Sequence, residues 1–444
     1  MVRNGNVKRE RNGERGISLF LVAAGMVFLL GVSALAIDVA SLYVGRDEAQ
    51  RAADAGALAG AKGLVDSGCV SGGAGACAAY QPLATTRATS AAGQNTVGTL
   101  LVSSLPGACV SVTFPTPTSP AGDPLVQVRV QRTTACGNAM PTFFAKILGF
   151  LSGDVAATAT AEAYNPSSST TGPTICVSCL KPLLVPNCDP DPGHVVSAGN
   201  ANANVNCPVV PGVTYMPNFV DPTNRSIVNP GATPTGVVGE EWTLHTVLGP
   251  SQYFVVDTGC GQGNQTSCIQ GCTTTQWTCG SLLDTVQGAK AGQFDKSVDN
   301  LIHAKAPGPA NHGQDTIALA GTPAAPVIVG GTNNPNPAIV GKTITSSDSL
   351  VTVALYSGVD TNGLPVQPGI DQVKIVGYMQ MFIEYERKQG TMGDVQIKAM
   401  ILSVSGCGTA NGTCGTSGGG GGGGTISGGG GSLLPIRLVR TPGT

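Results

Sequence analysis

The longest uncharged run in the chain lies close to its N-terminus. Ile17 to Ile37 contains no Asp, Glu, Lys or Arg. As an α-helix this run would be about 31 Å long at ~1.5 Å per residue, close to the ~30 Å hydrocarbon core of a bilayer. Apolar residues lie on every face of the helix that this run would form, so the helix lacks the polar face of a surface helix. The pattern predicts a transmembrane helix over residues 17–37.

The charges on the two sides of this run differ in sign. The preceding segment, 1–16, is basic, and the first charges after the run are acidic: Asp38, Asp47, Glu48 and Asp54. The positive-inside rule then places residues 1–16 in the cytoplasm and the bulk of the chain outside it. A cleaved secretory signal is the alternative, because Ala34-Leu35-Ala36 resembles a signal-peptidase site. The run exceeds the usual ~7–15 residue apolar core of a signal, which favours a retained anchor.

Good helix formers continue from Ser41 to Val65, and the first proline is Pro82. The transmembrane helix is therefore predicted to extend into a long exported helix. One face of it carries small residues at helical spacing, which permits close approach of another backbone. We expect this stripe to contact a partner helix, with packing on the chain's own sheet as the alternative. The stripe comprises Ala49, Ala52, Ala53, Gly56, Ala59 and Gly60.

The next segment alternates between strand and turn signals. Cys109–Phe114 and Leu125–Gln131 read as two strands of a hairpin, Met140–Phe150 as a short helix, and Val155–Ala163 as a strand of period two. Residues 38–164 are thus predicted to form an α+β domain, in which the long helix packs on a small antiparallel sheet.

A Ser/Thr/Pro linker at 165–173 separates this domain from a less regular remainder. Residues 174–346 are predicted to be loop-rich and stapled by cysteines. Residues 347–444 are predicted to be β-rich, with a glycine-rich insertion and a last strand at Leu433–Val439. The clearest strand candidates there are Val351–Tyr356, Val373–Glu384 and Asp394–Val404.

Composition narrows the function classes. The chain has 63 Gly, 30 Pro and only 11% charged residues, which argues against a helical bundle. Its formal net charge is −2, so the chain as a whole lacks the excess of positive charge that is typical of nucleic-acid-binding proteins. All 14 cysteines follow the apolar run, and exported cysteines usually form disulfides. The natural local pairs are Cys69–Cys77, Cys109–Cys136 and Cys407–Cys414. A zinc site is the alternative for Cys176, Cys179, Cys188 and Cys207.

Patterns for catalysis are missing from the sequence. The four histidines form no H-E-x-x-H motif, no G-x-S-x-G elbow occurs, and the glycine tract lacks the Lys-Ser/Thr of a phosphate loop. Asp189–Gly193 weakly suggests a calcium loop, but no further acidic ligand completes it. We therefore predict no catalytic, cofactor or metal residues, no small-molecule substrate, and a protein that is not an enzyme.

The N-terminal residues resemble a known family. Glu14-Arg15-Gly16, the apolar run, Ala36-Ile37-Asp38-Val39, Leu42-Tyr43 and Ala52–Ala59 (A-A-D-A-G-A-L-A) are similar to the Flp-pilus assembly TadE/TadG-like N-terminal domain. The segment Thr142–Gly149 and the strand after it are also similar to TadG-like proteins. The resemblance implies a structural or assembly component of a tight-adherence (Flp, type IVc) pilus in the bacterial inner membrane. It also implies pilus-assembly proteins as partners, through the membrane-proximal helix. The alternative is an anchored or secreted adhesin or ligand-binding β-domain unrelated to pilus assembly.

Overall fold

The structure is a computed structural model. It describes residues 14–116, 123–164, 176–187, 195–197, 220, 238–246, 255–261, 263–286, 291–322, 324–356, 361–362, 371–389, 394–406, 425–427 and 436–439. The chain forms two compact units. The first unit comprises Met1–Gly56, Ala88–Val112 and Val128–Ala159, and the second unit comprises Ala57–Arg87, Thr113–Gln127 and Thr160–Thr444.

One helix dominates the N-terminal part. α1 runs without interruption from Glu14 to Asp66, as the absence of proline and the abundance of Ala, Leu and Arg predict. It ends where Gly68 takes a left-handed conformation (φ +77°) and donates its N–H to the carbonyl of Val65 at 3.0 Å. The other described helices are shorter: α2 Gly73–Cys77, α3 Gln81–Gly93, α4 Gln265–Gln270, α5 Ala291–Phe294 and α6 Ser297–Ile302.

Short strands follow α3. They are β1 Thr96–Val97, β2 Leu100–Leu101, β3 Val110–Thr113, β4 Leu125–Arg132, β5 Met140–Pro141, β6 Ser152–Gly153 and β7 Val155–Ala163. β3, β4 and β7 are neighbours in a four-stranded sheet. The outer partner of β7 is β20 (Ile436–Val439), which runs antiparallel to it. The predicted return of a last strand is therefore confirmed, over Ile436–Val439.

The remaining strands are mostly in one larger sheet. They are β8 Cys176–Ser178, β9 Leu184–Pro186, β10 Val195–Ser197, β11 Glu241–Thr246, β12 Leu282–Asp284, β13 Thr316–Ala320, β14 Ala325–Val329, β15 Thr343–Ile344, β16 Leu350–Tyr356, β17 Gln372–Gln389, β18 Asp394–Ser405, β19 Thr425–Ser427 and β20 Ile436–Val439. The seven-stranded sheet has the order β10-β11-β18-β17-β16-β9, and β12 also pairs with β17. Its core is formed by buried Val, Ile and Leu side chains around Trp242, Tyr356 and Tyr378.

Most strand predictions are confirmed, and one helix prediction is wrong. β16, β17 and β18 contain the three predicted C-terminal strands, although β17 extends five residues further, to Gln389. Met140–Phe150 is not an α-helix. It begins with β5, contains a 3₁₀ turn at Ala145–Leu148, and closes at Gly149, which is left-handed (φ +91°). Pro141 and Gly149 are poor helix residues, and backbone N–H groups in this segment bond to a side chain outside it.

The stripe of small residues on α1 faces the interior, so the predicted partner contact through it is wrong and the alternative holds. Ala49, Ala52 and Ala53 are fully buried. A Cβ added at Gly56 would lie 3.1 Å from the Ala88 carbonyl oxygen and 3.1 Å from a methyl of Val128. Small residues are needed here because α3 and β4 approach the helix backbone closely.

Disulfides staple both units. In the first unit Cys109 pairs with Cys136, and in the second Cys69 pairs with Cys77, so both of these predicted pairs are confirmed. Cys407 and Cys414 lie outside the described residues. Two further pairs, Cys179–Cys272 and Cys260–Cys268, close the second unit. Cys176 is also disulfide-bonded. The zinc alternative is therefore wrong for Cys176 and Cys179, and Cys188 and Cys207 lie outside the described residues.

We expect Gly56→Leu to destabilise the first unit by about 1–3 kcal/mol, since the added side chain overpacks a closed contact. Limited proteolysis of the detergent-solubilised protein across a urea series would measure the shift. Gly31→Leu is the matched control on the same helix, because a Cβ there has no neighbour within 4 Å. Equal midpoints for the two variants would contradict the inward packing.

Candidate functional site: the apolar helix and the loop bound to Asp38

The N-terminal half of α1 exposes apolar side chains on every face. Large residues from Leu19 to Ile37 are 46–73% exposed, and no other part of the described chain covers them. This helix is long and apolar enough to cross a membrane. It is a candidate membrane span that includes residues 19–37 of the predicted segment.

The first charged residue after this segment, Asp38, is buried. Its carboxylate accepts three backbone N–H groups from a loop more than 100 residues later: Phe143 at 2.7 Å and Phe144 at 2.9 Å, together with Ala145. Burial by itself raises the pKa of the Asp38 carboxyl, but these three donors and the nearby Lys146 ammonium together lower it below its ordinary value. Asp38 therefore holds the loop to the helix as a charge-assisted clamp.

The loop bound by Asp38 is itself apolar on its outer surface. We define the apolar loop as residues 142–151. It is closed by a hydrogen bond from the Thr142 N–H to the Leu151 carbonyl at 3.2 Å and another from the Phe150 N–H to the Ala145 carbonyl at 3.1 Å. Thr142 and Ala145 are buried. Its exposed large side chains are Phe143, Phe144, Ile147, Leu148, Phe150 and Leu151.

The helix face next to the clamp is locked onto the small sheet. Leu42 fits against Gly153, where a Cβ would lie 2.7 Å from a Leu42 methyl, and Gly45 is covered by Met140. One turn further, the Glu48 carboxylate accepts the N–H of Gly98 at 2.5 Å. These contacts pack the helix against the segments on both sides of the apolar loop.

A second set of polar contacts supports the sheet from within. The Arg132 guanidinium donates to the Val97 carbonyl at 2.9 Å and to the Asn138 side-chain oxygen at 2.9 Å. Burial lowers the pKa of Arg132, and its hydrogen bonds to Val97 and Asn138 give it a structural role here. The Cys109–Cys136 disulfide crosses the same region.

Among the residues that the structure describes, the histidines form no metal-binding group with other His, Cys, Asp or Glu side chains. His303 forms a partly exposed pair with Asp348 at 2.8 Å, while His194, the side chain of His245 and the segment 189–193 lie outside the described residues. No group of three or more His, Cys, Asp or Glu side chains among the described residues could hold a metal ion.

Some ionisable groups of the second unit have shifted pKa values without forming a cleft site. Burial lowers the pKa of Lys181 to about 8, opposed by Asp348. Its ammonium donates to the carbonyls of Ile269 and Gly271, each at 2.7 Å, and to that of Cys268 at 3.3 Å. Three acceptors satisfy its three protons, so the lysine stabilises this disulfide-bearing turn.

A buried acid pair lies between β17 and α6. Burial raises the pKa of Glu386 to about 7, and the neighbouring Asp299 and Asp295 carboxyls raise it further in the same direction. Burial also raises the pKa of Asp299. Burial and the neighbouring negative charges both oppose ionisation of Glu386, so they favour its protonated form.

Sequence reasoning missed the clamp and the apolar loop. The signal that indicates them is the apolar composition of Phe143–Leu151, which is interrupted by Lys146 and Gly149 and overlaps the predicted helix Met140–Phe150. Nothing in the local pattern connects this segment to Asp38.

Two family models match the part of the chain that contains this site. Residues 16–63 match the Tad model, described as Flp pilus-assembly TadE/G-like, and residues 47–161 match the Tad_C model, described as Tad-like Flp pilus-assembly. The resemblance predicted from the sequence is thus confirmed over residues 16–161, and it supports a role related to pilus assembly. No curated protein and no solved structure matches the chain.

We expect Asp38→Asn to loosen the apolar loop, because an amide presents donors to the three N–H groups where the carboxylate presents only acceptors. Hydrogen exchange at Phe143, Phe144 and Ala145 should accelerate by about one order of magnitude. Asp47→Asn is the control, since Asp47 is exposed on the same helix. Unchanged exchange in Asp38→Asn would show that the clamp does not hold the loop.

We expect Glu386→Gln to stabilise the second unit above neutral pH. A raised carboxyl pKa means that the folded state binds more protons than the unfolded state, so stability is lost as pH rises from about 4.5 through about 7. The variant should gain about 1–3 kcal/mol at pH 8 and little at pH 4. Urea unfolding followed by the fluorescence of Trp242 and Trp277 measures this. Glu241→Gln, at a half-exposed ion pair with Lys398, should change stability by less than ~1 kcal/mol. An equal pH slope in Glu386→Gln and the wild type would contradict the assignment.

Proposed function

We propose that this protein is a membrane-anchored structural or assembly component of a Tad-type (Flp) pilus system. The supporting observation is that the two Tad family matches begin at the apolar helix and cover the α+β fold attached to it. In this proposal residues 17–37 remain in the inner membrane as a single span, with the N-terminus in the cytoplasm and the bulk of the chain outside.

The disulfides agree with this orientation. Four disulfides among the described residues lie after the candidate span, and disulfides persist in oxidising compartments rather than in the cytoplasm. The basic residues lie before the span, as the positive-inside rule requires for a cytoplasmic N-terminus.

A scaffold role fits the chemistry better than catalysis does. The buried charged groups Asp38, Arg132 and Lys181 bond mainly to backbone groups of the chain itself. Partners are proposed to be other pilus-assembly proteins. Because the small-residue stripe is buried, the contact surface must be another part of the first or second unit.

Deletion and complementation test the proposal. In a bacterium that produces this chain, deletion should abolish surface pili counted by electron microscopy, and the wild-type gene should restore them. Leu29→Arg should fail to restore them and should reduce the membrane-bound protein, since Arg at the centre of a span costs about 2.5–3.5 kcal/mol. Leu29→Phe is the matched control that keeps the span apolar.

Two outcomes would contradict separate parts of the proposal. Normal pili after deletion would remove the assembly role. Release of the wild-type protein by carbonate washing, with Ile37 as the mature N-terminus, would remove the anchor and favour a cleaved signal.

A further inference from the structure

The apolar loop presents an unusual surface for a folded domain. Six large apolar side chains point outward within ten residues, and Ile147 is 85% exposed. Isolated exposed apolar residues are normal, but a contiguous group of this kind marks a surface that contacts a partner or a membrane. The loop is held closed by its own hydrogen bonds and by Asp38, so this exposure belongs to the folded state.

The position of the loop along the helix indicates what covers it. The clamp places Phe143 and Phe144 against residue 38, directly after the candidate span. Exposed apolar side chains of α1 continue on both sides of this level, at Ile37 before it and at Val39, Tyr43 and Val44 after it. The loop therefore extends the apolar surface of the helix sideways.

The first exposed charged residue after the span is Arg46, about 12 Å beyond Asp38 along the helix axis. From Ile17 to Val44 the helix measures about 42 Å, longer than the ~30 Å hydrocarbon core but equal to the ~40–45 Å of a bilayer with its headgroup regions. Asp38 and the loop thus lie at the level where the outer headgroup region begins.

We propose that the apolar loop lies in the outer boundary of the lipid bilayer, as a second membrane contact beside the helix. This inference rests on the proposed retention of the span. Phe143, Phe150 and their apolar neighbours would contact acyl chains, and Tyr43 would lie at headgroup level, where tyrosine is enriched. Lys146 would extend its ammonium toward lipid phosphates.

The clamp explains how a carboxylate can lie at this depth. A bare charge near hydrocarbon is costly, but the three N–H groups and Lys146 compensate the charge of Asp38. A single helix would allow the first unit to rotate and tilt about the anchor. Two contacts joined rigidly would fix its orientation over the membrane.

A tryptophan probe tests the proposal in the full-length protein. Phe150→Trp is compared with Leu101→Trp, an exposed site on β2. The turn that joins β1 to β2 contains Gly98, which bonds to Glu48, about 15 Å beyond Asp38 along the helix. Each variant is reconstituted into phosphatidylcholine–phosphatidylglycerol vesicles with or without brominated acyl chains. The wild type supplies the background of Trp242 and Trp277.

We expect Phe150→Trp to emit at shorter wavelength and to be quenched by the brominated lipid, while Leu101→Trp emits as a water-exposed residue and is not quenched. Alkylation of the unreduced protein checks that Cys109–Cys136 has formed. Leu148→Trp replaces Phe150→Trp if that variant misfolds.

A water-like, unquenched probe at 150 in carbonate-resistant protein would overturn the loop inference and leave the anchor intact. Shielding of the probe only in native membranes that contain the pilus proteins would also overturn it, and would assign the loop to a protein partner. Loss of the protein from the vesicles after carbonate washing would instead contradict the proposed anchor itself.

Discussion

The hydrogen bonds between Asp38 and residues 143–145 join the apolar helix to the folded part of the chain. Without acceptors for these N–H groups, a tight apolar loop would leave backbone donors unsatisfied, which costs more than the bonds contribute when made. The clamp also lets the span end in a carboxylate without exposing that charge. The level of the loop along α1, and hence the orientation of the small sheet, depend on this contact.

Close packing of the helix on its own sheet is the second constraint on the first unit. The inner face of α1 carries small buried residues at Ala49 and Ala52, a Cβ at Gly45 would meet Met140, and one at Gly56 would meet α3 and Val128. Such a face contributes little apolar area per residue, so its stability comes from the density of contact. The helix is therefore an internal support for the first unit as well as an extension of the proposed anchor.

The second unit is stabilised differently. A seven-stranded sheet forms its core from buried Val, Ile, Leu and aromatic side chains. The disulfides Cys179–Cys272 and Cys260–Cys268 link separate segments of this unit. Beside them, the Lys181 ammonium donates to three backbone carbonyls. Burial raises the pKa of Glu386 in this unit, whereas in the first unit the backbone N–H donors to Asp38 outweigh burial and lower its pKa.

The amino-acid sequence determined the features that depend on local pattern. The apolar run, the long helix, the hairpin strands, β7 and the three C-terminal strands follow from hydrophobic periodicity and the placement of proline and glycine. The pairs Cys69–Cys77 and Cys109–Cys136 were predictable because they are close in sequence. The family resemblance over the N-terminal part was readable from the same residues.

Only the tertiary structure decided which surfaces are free. A stripe of small residues has the same pattern whether it faces a partner or its own sheet, and the Cβ distances at Gly56 distinguish the two. The pairing of Cys179 with Cys272, 93 residues away, depends on chain reversal that no local pattern encodes. The segment 140–150 reads as a helix by composition, but Asp38 accepts the N–H groups of residues 143–145, and the contact joins residues 105 or more positions apart. Local pattern fixes which side chains are apolar, and only long-range contacts fix which of them remain exposed.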